Sequence, residues 1–344
     1  MGRRALVTGA SGFVGRALCA ALHARGDQVR AVMRRPAAGP WDEQWNLDLG
    51  ATDLPTGLVR DVDVVWHLAA RSRPFEGLAA AREPGGLAAA REPRQPELAE
   101  ERAAADLAAT RALLDAAAAA GAPALVFASS VRAVGLPVRG PADERTATPP
   151  DTGYGRAKRA AEELVLAAAE RHGLHACVVR PAPVYGPGCG GGLRRMLRAV
   201  DQGRFPAVPE VGNRRSLVGL DDLVAALLLV AERPEAAGRT YVVCDGQAYS
   251  TRRVQLAMAG ALGRTPPART VPAWALRALA RTGDLASWLA GRPAPFDSAA
   301  LRQLLGSAWY SAARISAELG WRPRQDLEGA LPAMVAAYRE EEGS

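Results

Sequence analysis

Cysteine, histidine and aromatic residues are all scarce in this chain of 344 residues, which holds four cysteines, four histidines and 5 % aromatics. Cys19, Cys177, Cys189 and Cys244 form no C-x-x-C pair, which excludes a disulfide-stapled scaffold and suits a reducing, cytoplasmic compartment. Neither disulfides nor a metal are needed to fold a chain of this size. No stretch approaches the roughly 20 uninterrupted apolar residues of a membrane span. Met1 to Val14 reads as a strand and turn, not as a signal peptide, so a soluble protein without a transmembrane segment is expected. Basic runs interleaved with aromatics are also missing, although 43 Lys and Arg against 36 Asp and Glu give a net charge of +7. That pattern disfavours nucleic acid as a partner, and an anionic small ligand such as a diphosphate accounts for part of the excess.

What is present is an alternation of short apolar runs and helix-length segments. Arg4 to Thr8, Gln28 to Met33, Val62 to Leu68, Ala124 to Ala128 and Ala176 to Arg180 read as strands. Phe13 to Arg25, Pro96 to Ala120 and Thr152 to His172 read as the helices between them. This order predicts an α/β fold, a doubly wound parallel sheet covered by helices on both faces. After Arg180 the texture turns Pro- and Gly-rich, and a smaller C-terminal substrate lobe is expected. The predicted boundary is interleaved: 1–180 with a return segment 212–245 for the dinucleotide-binding unit, and 181–211 with 246–344 for the lobe. Within the lobe, Trp274 to Arg281 followed by Trp288 reads as an amphipathic helix packed on the core. A tandem duplication, GLAAAREPG at 77–85 and GLAAAREPR at 86–94, reads either as an expanded surface loop or as duplicated DNA carrying no chemistry.

Directly after the first strand stands Thr8-Gly9-Ala10-Ser11-Gly12-Phe13-Val14-Gly15, leading into an apolar helix. A strand, a glycine turn and a helix start aim backbone N–H groups and the helix dipole at a pyrophosphate, and missing Cβ atoms permit close approach. Gly9, Ser11, Gly12, Phe13, Val14 and Gly15 are therefore expected at a dinucleotide. The second strand ends in Met33-Arg34-Arg35, without the acid that accepts hydrogen bonds from a ribose 2′-hydroxyl. Arg34 and Arg35 tilt the expectation from NAD toward NADP. Asp48, with Leu49 behind it, is expected at the adenine edge.

Tyr154-Gly155-Arg156-Ala157-Lys158 puts a phenol and an ammonium on one helix face. A phenol titrating near pH 10 is a poor base at neutrality, and a nearby Lys⁺ and an oxidised nicotinamide would favour the phenolate. Upstream, Phe127-Ala128-Ser129-Ser130 ends a buried-looking strand, and Ser130 is expected to orient the substrate oxygen at the carboxyl edge of the sheet. Ser130, Tyr154 and Lys158 form the predicted catalytic set. His67, a single histidine closing an apolar strand, reads as a satisfied core residue.

Taken together, these residues resemble the extended short-chain dehydrogenase/reductase family, in its NAD-dependent epimerase/dehydratase branch. Besides TGASGFVG and YGRAK, the likeness rests on His67-Leu68-Ala69-Ala70, on Arg180-Pro181-Ala182-Pro183-Val184-Tyr185-Gly186-Pro187-Gly188, on NRRSLVGLDD at 213–222 and on Leu319-Gly320-Trp321-Arg322-Pro323. It implies a Rossmann fold, with Leu68, Ala69 and Ala70 near the cofactor and Pro181 and Val184 flanking the nicotinamide. The two longest motifs look most like UDP-glucose 4-epimerase-like proteins, which implies a nucleotide-sugar substrate held by Ser130, Tyr185 and, at its diphosphate, Arg215. Relatives dimerise through the helices that Ala103 to Ala120 and Ala157 to Ala169 match, which implies a homodimer. Asp106-Leu107-Ala108-Ala109-Thr110 departs from the usual Asn-Val-x-Gly-Thr, and Val134-Gly135 from Tyr-Gly.

The leading expectation is 4-epimerisation of a UDP-hexose or UDP-N-acetylhexosamine, with an NADPH-dependent 4-ketoreductase as runner-up on the strength of Arg34 and Arg35. A dehydratase would want a carboxylate pair near Ser130, and Ser130-Val131-Arg132 supplies none. A cofactor-binding regulator without catalysis ranks equally low, because the Ser130/Tyr154/Lys158 set is intact.

Overall fold

A computed structural model describes residues 2–50, 54, 55, 57–70, 96–136, 140–266, 269–290, 294 and 296–343. The duplicated segment at 77–94 lies outside the described residues. Strands β1 (Arg4–Thr8), β2 (Gln28–Met33), β3 (Glu43–Asn46), β4 (Val64–His67), β5 (Ala124–Ala128), β6 (His175–Pro181) and β9 (Thr240–Val243) form one sheet in the order β3-β2-β1-β4-β5-β6-β9. Every pairing in it is parallel. The short β7 (Val184–Tyr185) and β8 (Val218–Gly219) pair separately. The helices are α1 (Phe13–Ala24), α2 (Pro96–Ala119), α3 (Gly153–His172), α4 (Gly191–Asp201), α5 (Leu220–Glu232), α6 (Thr251–Leu262), α7 (Ala273–Ala290), α8 (Ser298–Leu305), α9 (Ala313–Leu319) and α10 (Leu327–Gly343).

Period-two alternation divides the strand residues between two apolar layers. Ala5, Val7, Val126, Cys177 and Val179 face α1, α5 and α9, where Leu18, Leu22, Leu223, Leu227 and Ile315 meet them. Leu6, Leu125, Phe127, Ala176 and Val178 face the opposite layer, built from Leu113 and Ala117 of α2 and Ala161 and Val165 of α3. Burial on both faces is why these strands read as unbroken apolar runs. A third cluster, from Leu197 of α4, Met258 of α6 and Leu331, Met334 and Tyr338 of α10, lies beyond the sheet.

Two elements depart from the sequence reading. β3, Glu43-Gln44-Trp45-Asn46, is polar because it occupies the sheet edge and buries none of its residues fully. On α7 only Leu276, Ala280 and Gly283 are buried, whereas Trp274 is 71 % and Trp288 77 % exposed, so the tryptophans do not pack on the core as expected. All four cysteines are free and buried, and burial pushes their thiols up, Cys19 and Cys177 to about 12 and Cys244 to about 11.

Candidate active site

The carboxyl ends of β1, β4 and β5 lie side by side, and α3 packs against α2, β6 and the turn that follows β5. At the end of β1 the chain turns at Gly9, whose φ of +70° favours glycine. Its N–H donates to the Val32 carbonyl at 2.9 Å, and a Cβ there would lie 2.9 Å from the Ala69 nitrogen. A Cβ on Gly15 would meet the Gly9 carbonyl oxygen at 2.2 Å, so the first turn of α1 can sit against the loop only without one. Gly12 caps α1 with no side chain, and the first helical N–H groups of Phe13, Val14 and Gly15 belong to the set that has no intrahelical acceptor. Close-packed backbone at a helix start is the cradle a dinucleotide pyrophosphate requires. Gly15→Ala is accordingly expected to weaken NADH and NADPH binding at least about tenfold in a fluorescence titration.

Arg34 and Arg35 are exposed just past the end of β2, beside that turn. Asp48 Oδ1 accepts from the Gly50 N–H at 3.3 Å, while the Leu49 side chain is buried in the apolar layer under α2, so Leu49 has only backbone to offer a ligand. Leu68 and Ala69 are partly buried and Ala70 is exposed after β4. The Ala69 N–H donates to Thr8 Oγ1 at 3.1 Å. Pro181 closes β6, and Val184 opens β7 opposite Val218. Ser11 is exposed at the turn.

α3 begins at Thr152, whose hydroxyl accepts from the Gly155 N–H at 3.1 Å, and this cap sets Tyr154 in the first turn and Lys158 one turn further. Tyr154, Lys158, Asp106 and Thr110 share one small cavity with Ala69 and Phe127. Ser130 caps the turn after β5, its hydroxyl accepting from the Arg132 N–H at 3.2 Å and bonding the Tyr154 phenol. Lys158 lines the same cavity as the phenol, as the spacing predicted. Its ammonium donates to the Ala128 carbonyl at 2.9 Å and lies 4.7 Å from the centre of the Phe127 ring, and burial lowers it to about 8. Burial raises the Tyr154 phenol to about 12, and the Ser130 hydrogen bond and the Arg132 charge only partly counter burial and the Asp106 carboxylate.

His67 is the satisfied core residue that the sequence suggested, whereas Glu162 was not marked from sequence. His67 Nδ1 pairs with Thr8 Oγ1 at 2.8 Å and Nε2 with Thr110 Oγ1 at 3.1 Å. Burial and the Lys158 charge hold the ring at about 3, so it is neutral at working pH and links β1, β4 and α2. Asp106 occupies the cavity where the sequence showed only a departure from a motif. Beneath Lys158, Glu162 receives Arg180 Nε and Nη2 at 2.8 and 2.6 Å and the Ser129 hydroxyl at 2.5 Å, all fully buried. The clue was present in spacing, since Glu162 follows Lys158 by one helical turn.

Tyr185 is a correction. Its side chain is fully buried in the third apolar cluster, and its hydroxyl donates to the Gln325 carbonyl at 2.9 Å and to Asp245 at 3.2 Å, so it serves packing, not a substrate. Asp245 also accepts from the Tyr249 hydroxyl at 2.7 Å, yet burial raises its carboxyl from 3.8 to about 6. A raised carboxyl contributes stability that is complete below pH 3.8 and lost as the pH rises through 6. Asp245→Asn is therefore expected to remove a pH-dependent loss of up to about 3 kcal/mol between pH 4 and 7, read by urea denaturation at both ends. Arg215 is partly buried, its backbone N–H on the Tyr249 carbonyl at 2.9 Å and its Nη2 on the Gln303 carbonyl.

Residues 5–83 and 87–244 match the NAD dependent epimerase/dehydratase family. The chain belongs to that family. It is an NAD(P)-dependent enzyme of the extended short-chain dehydrogenase/reductase type, with a nicotinamide cofactor. A UDP-glucose 4-epimerase of Vibrio cholerae is 26 % identical over 348 residues, covering 98 % of this chain and 96 % of the relative. A 3 beta-hydroxysteroid dehydrogenase/Delta 5-->4-isomerase of Mycobacterium tuberculosis is 27 % identical over 359 residues, 98 % and 92 % of the two chains. Among solved structures, MoeE5 in complex with UDP-glucuronic acid and NAD superposes with a TM-score of 0.75 at 25 % identity over 98 % of this chain and 99 % of that one. Among the described residues, no helix is long and apolar enough to cross a membrane and no cluster of three metal-ligating side chains occurs.

Proposed function

We propose that this epimerase/dehydratase family member acts on a nucleotide sugar, interconverting the C4 epimers of a UDP-hexose or UDP-N-acetylhexosamine through a 4-keto sugar. The observation that carries the reading is the meeting of Ser130, Tyr154 and Lys158 beside a glycine cradle that a Cβ would fill. Ser130 Oγ holds the C4 oxygen, and Tyr154, as the phenolate that the positive charge of a bound oxidised nicotinamide would favour, takes the C4 hydroxyl proton and as the phenol returns it to the C4 oxygen. Lys158, anchored on the Ala128 carbonyl, keeps the end of β5 and the first turns of α3 in register. When bound, the nicotinamide supplies the hydride acceptor and donor at C4.

Alternatives from the relatives are weighed by charge. A steroid would meet the Arg132 guanidinium on the turn that follows Ser130 and packs on the first turn of α3, which favours an anionic substrate instead. Arg34 and Arg35 favour a 2′-phosphate, and with it an NADPH-dependent 4-ketoreductase as the second reading. Mass spectrometry of the mildly denatured protein separates the two. Near-stoichiometric NAD supports an epimerase that keeps its cofactor, whereas an empty site that binds NADPH moves the assignment to the ketoreductase. α2 and α3 pack against each other over the sheet, and we infer that they also form a homodimer interface. A monomer mass by light scattering at micromolar concentration overturns that. A cytoplasmic location fits the four free thiols.

A further inference from the structure

An ordinary surface helix buries its bulky apolar side chains and turns polar ones outward. In α7 the arrangement is reversed. Leu276, Ala280 and Gly283 face inward, and a Cβ on Gly283 would lie 1.8 Å from the Phe296 carbonyl oxygen, so the helix is seated closely on the chain that leads into α8. Trp274, Ala278, Arg281, Leu285 and Trp288 stand at i, i+4, i+7, i+11 and i+14 on the other side, with Leu289 beside them. Leu285 is 56 % and Leu289 70 % exposed, and Val271 extends the apolar surface past the start of the helix. Arg281 stands within this stripe and Arg277 on its flank, both exposed. Between Arg269 and Leu305 the sequence holds five arginines and two aspartates. Both aspartates are turned to the start of α8: Asp284 accepts from the Ser298 N–H at 3.0 Å and the Ser298 hydroxyl at 2.5 Å, and Asp297 accepts from the Ala300 N–H at 2.9 Å. The charge left on the outward face of α7 is positive.

Bulky apolar side chains gathered on one face and left in water mark a surface that something covers. We propose that α7 is an interfacial helix that seats the protein on an anionic lipid surface. Tryptophan rings near the two ends of the helix suit the headgroup level, where an apolar body and a polar N–H are both satisfied. The leucines between and beside them reach the acyl boundary, and the arginine heads reach lipid phosphates while their stems lie along the apolar stripe. The helix rests on the surface and does not cross it, since no described helix is long and apolar enough to span a membrane. A second copy of the chain is the less favourable occupant. Arg281 stands midway between Trp274 and Trp288, so packing the stripe against itself, parallel or antiparallel, sets Arg281 against its own copy, and like charges in contact oppose the dimer. The net charge of +7 draws the whole chain toward the same kind of surface. This docking face is independent of the sugar chemistry proposed above.

Co-sedimentation of the full chain with vesicles of phosphatidylcholine alone, and of phosphatidylcholine mixed with phosphatidylglycerol, tests the assignment. The partition coefficient is expected to be at least about tenfold higher on the anionic vesicles and to fall as salt is raised. W274A/W288A replaces two exposed rings and leaves the core untouched, so it should lose about tenfold or more on the anionic vesicles with thermal unfolding unchanged. R277Q/R281Q should bring binding on the anionic vesicles to within about threefold of that on the neutral ones. Wild-type protein that stays in the supernatant with both vesicles overturns the proposal, and needs no variant to be read. So does anionic binding that W274A/W288A leaves at the wild-type level, which would assign it to the charge of the whole chain. A wild-type oligomer that W274A/W288A dissociates, read by light scattering, would make a second copy the occupant and overturn the proposal as well.

Discussion

Tyr154→Phe is expected to lower kcat by roughly 10²–10⁴-fold while leaving NADH binding and the folded state intact. The ring is kept, so the partly buried first turn of α3 stays filled, and what goes is the hydroxyl that pairs with Ser130. Single-turnover kinetics check this, because the loss must sit in the chemical step and not in KM. Ser130→Ala should show a smaller drop, since it removes an orienting hydrogen bond and leaves the proton carrier. A Tyr154→Phe variant retaining a tenth or more of the wild-type rate would take the phenol out of the mechanism.

The largest effect on stability is expected away from the cavity, at the Glu162–Arg180 pair. Both side chains are under 5 % exposed, and their two hydrogen bonds of 2.8 and 2.6 Å join α3 to β6. Glu162→Ala leaves the Arg180 guanidinium buried with no countercharge, which costs about 3–5 kcal/mol. Arg180 Nη1 already lacks a partner among the described residues, so little slack remains for a rearrangement. Replacing both residues, as in Glu162→Leu with Arg180→Met, should recover most of the loss, because a well-packed apolar pair avoids the desolvation that the ions incur. Urea denaturation of the two variants decides it: a double variant no more stable than the single one would mean that packing, not charge, is what Glu162 supplies.

How much of this was legible in the sequence varied with the kind of signal. The strands around Val7, Val65, Val126 and Val178 announced themselves because a sheet buried on both faces turns every position apolar. β3 was invisible, since Glu43 to Asn46 at the edge need satisfy only one neighbour. The glycine turn and the Tyr154–Lys158 spacing could be read because local geometry fixes them. The direction of the Lys158 ammonium could not, since it depends on the Ala128 carbonyl and the Phe127 ring, thirty and more residues away. Tyr185 misled for the related reason that a motif gives a position and not a facing, and its ring turns into the cluster around Met258 and Tyr249. Arg132 had been weighed only as the absence of a carboxylate.

The four cysteines give the molecule a built-in clock. Each thiol is enclosed, with Cys19 and Cys177 in the layer under α1 and α5, Cys244 just past β9 and Cys189 in the cluster around α4, and burial keeps each protonated. An alkylating reagent that needs the thiolate can label them only when the layer around each one opens. Cys189 reports on different packing from the other three, so mass-resolved labelling over time would show whether the cluster beyond the sheet opens on its own or together with the sheet.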